Sequence, residues 1–227
     1  MKDHFEVFVF DADDTLLDFH AASRGAFYSL FVKEETRTVD EYYIKFKNIN
    51  NTVWEEYNNG RITASKLKTK RFKLLLEDIS YPADLADDLS KLYLERLVEH
   101  STLLNGTIEV IQQLHLKGKT IAIATNGLQE VQYRRIQKTG LDKFTHKIFI
   151  SEEIGIAKPH LGFFEYIHRH LGSPDKNKVL FVGDNPSSDI VGAKKFGYSS
   201  CLLQRMWHPL HETCSCDFII ESLIELL

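Results

Sequence analysis

The sequence predicts an α/β chain, a doubly wound parallel sheet interrupted after its first strand by an all-helical insert. Three observations predict it. From about residue 105 onward, short β-rich runs alternate with helical segments that stop at glycine. The β-rich runs are apolar without polar alternation, which marks strands covered on both faces. Between Leu17 and about His100 no β-rich run occurs, and only helical periodicity is present.

The first strand is the apolar part of "VFVFDADDTLLD", Val7 to Asp18, which runs directly into four aspartates. In the block that follows, Tyr42, Tyr43, Phe46, Ile49, Val53, Trp54 and Tyr57 recur at spacings near three and four, and "NNG" at Asn58 to Gly60 ends the run. Thr63 is placed to cap the next helix, and Pro82 sits where a first-turn proline opens another. Loops are ordinarily about 4 to 6 residues long. An insert of this size therefore reads as a cap over a site. The expected division is 1–17 with 97–227 as the sheet domain and 18–96 as the cap.

A helix follows Asn105-Gly106 and ends near Gly118, and "KTIAIATNG" is the next strand. "LQEVQYRRIQKTG" is a helix stopped by Gly140, and "HKIFIS" follows it. A helix from about Leu161 to Gly172 leads into "KVLFVGD", and "SSDIVGAKKFG" leads into "SSCLLQ". "DFII" and a terminal helix complete the pattern.

The 227 residues are 43% hydrophobic and 26% charged, with a formal net charge of −4. That is enough apolar material for a core and a second small unit, and disorder is not expected. The balance provides no broad basic field, so neither a nucleic acid polymer nor a membrane surface is an expected partner. The N-terminal apolar run of about six residues is too short for a signal peptide core or a membrane span. Three cysteines make no disulfide framework, and a reducing cytoplasm is the expected setting.

In an open parallel sheet, ligands bind beyond the carboxyl ends of the strands. The residues there are Asp11, Asp13 and Thr15 after the first strand, and Thr125 and Asn126 after the second. Lys158-Pro159 lies a little beyond the third, and Asp184 and Asp189 follow the fourth. Residues two apart in an extended segment project the same way, so Asp11 and Asp13 are expected to address one small volume. Carboxylates that close repel in a dry site unless a cation lies between them. Asp11, Asp13 and Asp184 together predict a hard divalent cation, Mg²⁺. Lys158 offsets their charge, and Thr125 and Asn126 offer donors to an anion's oxygens. This set suits phosphoryl transfer, and since no P-loop is present, a carboxylate nucleophile is the economical choice.

Asp11-Ala12-Asp13-Asp14-Thr15, Thr125, Lys158-Pro159 and "GDNPSSD" from Gly183 to Asp189 resemble, in order and spacing, the four motifs of the haloacid dehalogenase superfamily. The helical block occupies the position of that family's helical cap. The resemblance implies a Rossmann-like core, Asp11 as a nucleophile forming an aspartyl-phosphate, and Asp13 as the acid and then the base. It implies Mg²⁺ on the Asp11 and Asp184 carboxylates and the Asp13 carbonyl, with the phosphoryl oxygens on Thr125 and Lys158. Thr15 and Asp189 support from behind. A carboxylate at Asp13 points to a phosphatase or phosphomutase and away from a dehalogenase. "DADDTLLDF", "NNGRITASKLKTKRF", "TNGLQEVQYRRIQKTGL" and "ISEEIGIAKP" are similar to bacterial pyrimidine nucleoside monophosphate phosphatases of the superfamily. The implied partner is a small phosphate monoester, and a monomer is compatible with the sequence. The alternatives are a sugar phosphomutase or sugar-phosphate phosphatase, or a silent protein that only binds a phosphate ligand. Pro186, inside the fourth motif, is a departure that bears on the geometry of the Asp184 to Asp189 loop.

Other signals read more plainly. His208, His211, Cys214 and Cys216 fall within nine positions, but Cys214-x-Cys216 is tighter than usual zinc pairs, and a loop is the better reading. Phe19, Phe27, Tyr42, Tyr43, Trp54 and Tyr57 are expected mostly in core packing, and Arg24, Arg61 and Arg71 as solvated charges.

Overall fold

The computed structural model describes residues 4–205 and 215–227. In chain order, β1 (Val7–Phe10) is followed by α1 (Phe19–Tyr28), α2 (Thr36–Asn58), α3 (Ala64–Asp78) and α4 (Ala86–Glu99). Then come α5 (Thr107–Leu116), β2 (Thr120–Thr125), α6 (Gln129–Thr139), β3 (Lys147–Ile150), α7 (Ser151–Ile154) and α8 (Leu161–His170). β4 (Val179–Gly183), α9 (Val191–Phe196), β5 (Ser199–Leu203) and β6 (Phe218–Ile220) complete the chain. The terminal helix, Leu223–Leu226, is a short 3-10 helix, and the Ser222 and Glu225 side chains close a capping box at its start. Among the described residues, no helix is long and apolar enough to cross a membrane.

The chain divides into two compact units, 1–19 with 102–227, and 20–101. The boundary read at 96/97 falls inside α4, whose hydrophobic stripe continues through Leu97 and Val98.

In the first unit, the described strands form a parallel sheet in the order β3-β2-β1-β4-β5-β6. The apolar runs are continuous because both faces are covered. Phe8, Phe10, Ile121, Ile123, Leu180 and Val182 pack on one side with Val110, Ile111 and Leu114 of α5. Val7, Val9, Ala122, Ala124, Val179 and Phe181 pack on the other with Phe163, Phe164 and Ile167 of α8. Each buried Val, Leu, Ile or Phe among them contributes about 1.5–3 kcal/mol. The strand order reverses between β1 and β4, and the crevice beyond their carboxyl ends is where such sheets bind ligands.

The second unit is all helical. Tyr43, Phe46, Asn50 and Val53 are the buried face of α2, as Leu67, Arg71, Phe72 and Leu75 are of α3, and Tyr93 is buried on α4. The Phe46 ring lies 5.1 Å from Phe72 and 5.2 Å from Tyr93. Thr63 caps α3, its hydroxyl accepting from Lys66 N at 3.3 Å. Arg71 is not the solvated charge expected of it. Position 71 lies one helical turn from both Leu67 and Leu75, so the stripe carries it inward to 2% exposure. Its Nη1 donates to Asn50 Oδ1 at 3.0 Å, and the rings of Tyr93, Phe72 and Phe46 lie around its guanidinium.

Candidate active site

β1 ends at Phe10, and Asp11 N still donates to Val182 O at 2.8 Å, so Asp11 begins where the β1–β4 pairing stops. Past it the chain turns at once: Leu16 N and Leu17 N both donate to Ala12 O, and Asp14 adopts a left-handed φ of 56° that aspartate tolerates. Asp11 and Asp13 are therefore not two residues of one extended segment, although the Asp13 carboxylate stays near enough to Asp11 to act on it electrostatically.

Asp11 meets Lys158. The Lys158 ammonium donates to Asp11 Oδ1 at 2.5 Å and to Ala124 O at 2.8 Å, and pairs with Asp189 Oδ1 at 2.7 Å. Three N–H donors thus have three acceptors, in a side chain only 3% exposed. Asp184, at the end of β4, is also buried, and the Thr15 hydroxyl reaches its Oδ1 at a long 3.5 Å.

Asp11, Asp184 and Asp189 each offer an oxygen within 4.8 Å of the others. Three buried carboxylates face one ammonium, so the cluster carries an excess of negative charge. Burial pushes Asp11 up from 3.8 to about 7, with Asp189 and Asp13 adding to it and Lys158 opposing it. Asp184 is also pushed well above the carboxylate range, by burial first and then by Asp11 and Asp189. Burial alone would lower Lys158, but Asp11 and Asp189 more than reverse this and hold it above the usual lysine value. A crowded, dry set of hard oxygen donors that resists ionisation by itself fits a small divalent cation. Asp189, expected behind the metal ligands, brings its carboxylate to this cluster, and the Asp13 carboxylate is not one of the three. Both oxygens of Asp189 are already engaged, Oδ1 by Lys158 and Ser188 Oγ and Oδ2 by Asn185 N, so Asp189 mainly holds the others.

The loop carrying Asp189 accommodates Pro186. Asn185 Oδ1 accepts from Ser187 N and Ser188 N and caps the π-helical turn Pro186–Ile190, where a proline in the first turn forfeits no hydrogen bond. Gly183 is required here, because a Cβ would run into the Asp189 carboxylate.

The Asp13 carboxylate turns to α6. Arg135 Nη1 donates to its Oδ1, and Gln132 Nε2 donates to its Oδ2 at 2.8 Å. Neither partner stood out in the sequence, yet Leu128, Val131, Gln132, Arg135 and Ile136 fall at the spacing of a single buried helical face. That spacing was the available signal.

At the end of β2 the two expected anion contacts separate. Thr125 Oγ1 accepts from Gly127 N at 3.0 Å and from Gln132 Nε2 at 2.8 Å, which leaves its proton to donate elsewhere. Asn126 is a different matter: its Oδ1 accepts from Lys158 N and its Nδ2 donates to Lys158 O, each at 3.0 Å. Its side chain holds the lysine's backbone. The zinc reading of the C-terminal loop rested on His208, His211 and Cys214, which lie outside the described residues, whereas Cys216 is half-buried.

Comparisons with known proteins find relatives over most of the chain. The chain is 30% identical over 217 residues to the pyrimidine 5'-nucleotidase YjjG of Escherichia coli (strain K12), covering 96% of this chain and 94% of that protein. It is 27% identical over 207 residues to the pyrimidine 5'-nucleotidase PynA of Streptococcus pneumoniae, covering 91% and 85%. A crystal structure of the HAD-hydrolase YfnB from Bacillus subtilis bound to magnesium superposes with a TM-score of 0.86 at 30% identity, covering 98% of this chain and 96% of that one. Residues 5–197 match the model of the haloacid dehalogenase-like hydrolases, and with β1, β2 and β4 carrying their acids and hydroxyl to one sheet edge, the chain belongs to that family.

Proposed function

We propose that the protein is a Mg²⁺-dependent phosphomonoesterase that works through an aspartyl-phosphate on Asp11, and that its substrates are pyrimidine nucleoside 5'-monophosphates. The observation that carries the reading is the Lys158 ammonium shared between Asp11 and Asp189, with Asp184 alongside. It fixes a carboxylate in a dry, electrostatically strained site at the edge of a parallel sheet. The nucleotide assignment rests on likeness to the two pyrimidine 5'-nucleotidases over nearly the whole chain, helical unit included.

Asp11 and Asp184 would hold the metal, with the Asp13 carbonyl as a further ligand. When bound, Mg²⁺ supplies charge neutralisation for the phosphoryl oxygens and for the nucleophile. The Asp11 carboxylate attacks phosphorus, the ester P–O bond breaks, and the departing oxygen takes a proton from Asp13. Asp13 then removes a proton from water as that water attacks the acyl phosphate, regenerating Asp11 and releasing inorganic phosphate. Lys158 holds the Asp11 carboxylate through Oδ1 and offsets the charge of Asp189. The Thr125 hydroxyl donates to a phosphoryl oxygen, since its own acceptor positions are filled. The helical unit is the proposed cap, excluding water during the first step.

A screen of phosphate esters with Mg²⁺ and with chelator tests the reading. Release of free phosphate from UMP, CMP or dTMP is expected, lost with chelator and with Asp11→Asn. An isomerised sugar phosphate without net phosphate release would identify a mutase instead.

A further inference from the structure

Two buried polar residues on α6 have no part in the steps above. Arg135 and Gln132 are each 1% exposed, and they stand one helical turn apart. Arg135 Nη1 donates to Asp13 Oδ1 and, at 3.0 Å, to Gln132 Oε1. Gln132 Nε2 donates at 2.8 Å to Asp13 Oδ2 and at 2.8 Å to Thr125 Oγ1. Because Arg135 claims the carbonyl oxygen of Gln132, the amide can present only its NH₂ group to Asp13 and Thr125. Gly127 lets the amide sit close, since a Cβ there would overlap the Gln132 side chain. The Phe19 ring lies 5.5 Å from the Arg135 guanidinium carbon.

We propose that Gln132 and Arg135 are positioning residues for phosphoryl transfer. They fix the plane of the Asp13 carboxylate and, through one amide, tie it to the hydroxyl of Thr125. Each Asp13 oxygen has one donor from α6 and keeps a further lone pair, which can carry the proton given to the leaving oxygen and later accept one from water. Burying a guanidinium is costly unless it is paired, and the pairing here goes to Asp13 in the loop after β1 and to Gln132, not to the core. The amide also directs the Thr125 proton, because that oxygen accepts from both Gly127 N and Gln132 Nε2. The inference rests on the reading of Asp13 as the group that protonates the leaving oxygen.

The test compares kcat/KM, which senses events through leaving-group departure, for two esters. One is p-nitrophenyl phosphate, whose phenolate leaves without a proton, and the other is UMP, whose alkoxide needs one. Arg135→Met is expected to lower kcat/KM for UMP by about a hundredfold and for p-nitrophenyl phosphate by less than about tenfold. Arg135→Lys should recover part of the UMP loss. Gln132→Leu, close in volume, is expected to show the same bias toward UMP in kcat/KM, and it carries the test if Arg135→Met does not fold. Equal losses on both esters, tracking a loss of melting temperature, would mean a structural role only and would overturn the inference, as would unchanged kinetics. Turnover of neither ester by the unmodified protein with Mg²⁺ would overturn the phosphomonoesterase reading, and this inference with it.

Discussion

Asn126 and Lys158 hold each other by two hydrogen bonds of 3.0 Å, the amide of one clamping the backbone N–H and carbonyl of the other. The residues are 32 positions apart, on the segments after β2 and β3. The ammonium that reaches Asp11 is thus aimed by its own main chain.

Replacing Asn126 by Ala removes both bonds and leaves the Lys158 backbone unserved. The expected cost is about 1–3 kcal/mol of stability. Catalysis should suffer more in kcat than in KM, because the lysine loses its fixed direction. Denaturant unfolding and steady-state kinetics on one preparation check both, and a KM effect alone would contradict the assignment.

Gly183→Ala places a methyl group against the Asp189 carboxylate. Asp189 and the ammonium it holds must shift, so Mg²⁺ affinity and kcat are both expected to fall, kcat by about a hundredfold. Calorimetric Mg²⁺ titration, read beside the rate, tests whether the two fall together.

The pH dependence follows from Asp11, raised from 3.8 to about 7 chiefly by burial. A carboxyl whose folded value lies above its unfolded value adds stability below about pH 4, and this is lost as pH rises through 7. Asp184, shifted the same way, acts in the same sense. The melting temperature of the metal-free protein should therefore fall between pH 5 and pH 8 by more than that of Asp11→Asn. Mg²⁺ binds the ionised acids and should raise the melting temperature more at pH 8 than at pH 5. Scanning calorimetry with and without chelator measures both, and an Mg²⁺ effect independent of pH would contradict the assignment.

The helical unit offers a test independent of catalysis. Arg71→Met removes a buried guanidinium but strands Asn50 Oδ1, at a cost of about 1–3 kcal/mol. Adding Asn50→Leu removes the stranded acceptor. The double variant is expected to be at least as stable as the original chain, since buried charged groups are often replaceable by apolar ones without loss. Thermal unfolding of the two single variants and the double variant measures the coupling.

The sheet was legible because its signals are local. A continuous apolar run such as Val7 to Phe10 has few options but a strand buried on both faces, and glycines such as Gly140 and Gly197, at φ of 75° and 97°, end helices whatever lies around them. The motif spacing likewise placed Asp11, Lys158 and Asp184 at one edge, because parallel strands deliver their carboxyl ends together. The destinations of side chains were not legible in this way. The Asp13 carboxylate went to Arg135 and Gln132 on α6, and Asn126 went to a backbone 32 residues away. Arg71 and Arg135, both ordinary surface residue types, were drawn inward by helical faces whose other members are apolar. Backbone form depends on neighbours along the chain, so the sequence by itself determined the fold class and the edge where the chemistry collects. A hydrogen bond depends on which donor and acceptor come within about 3 Å, and only the tertiary structure decided those pairings.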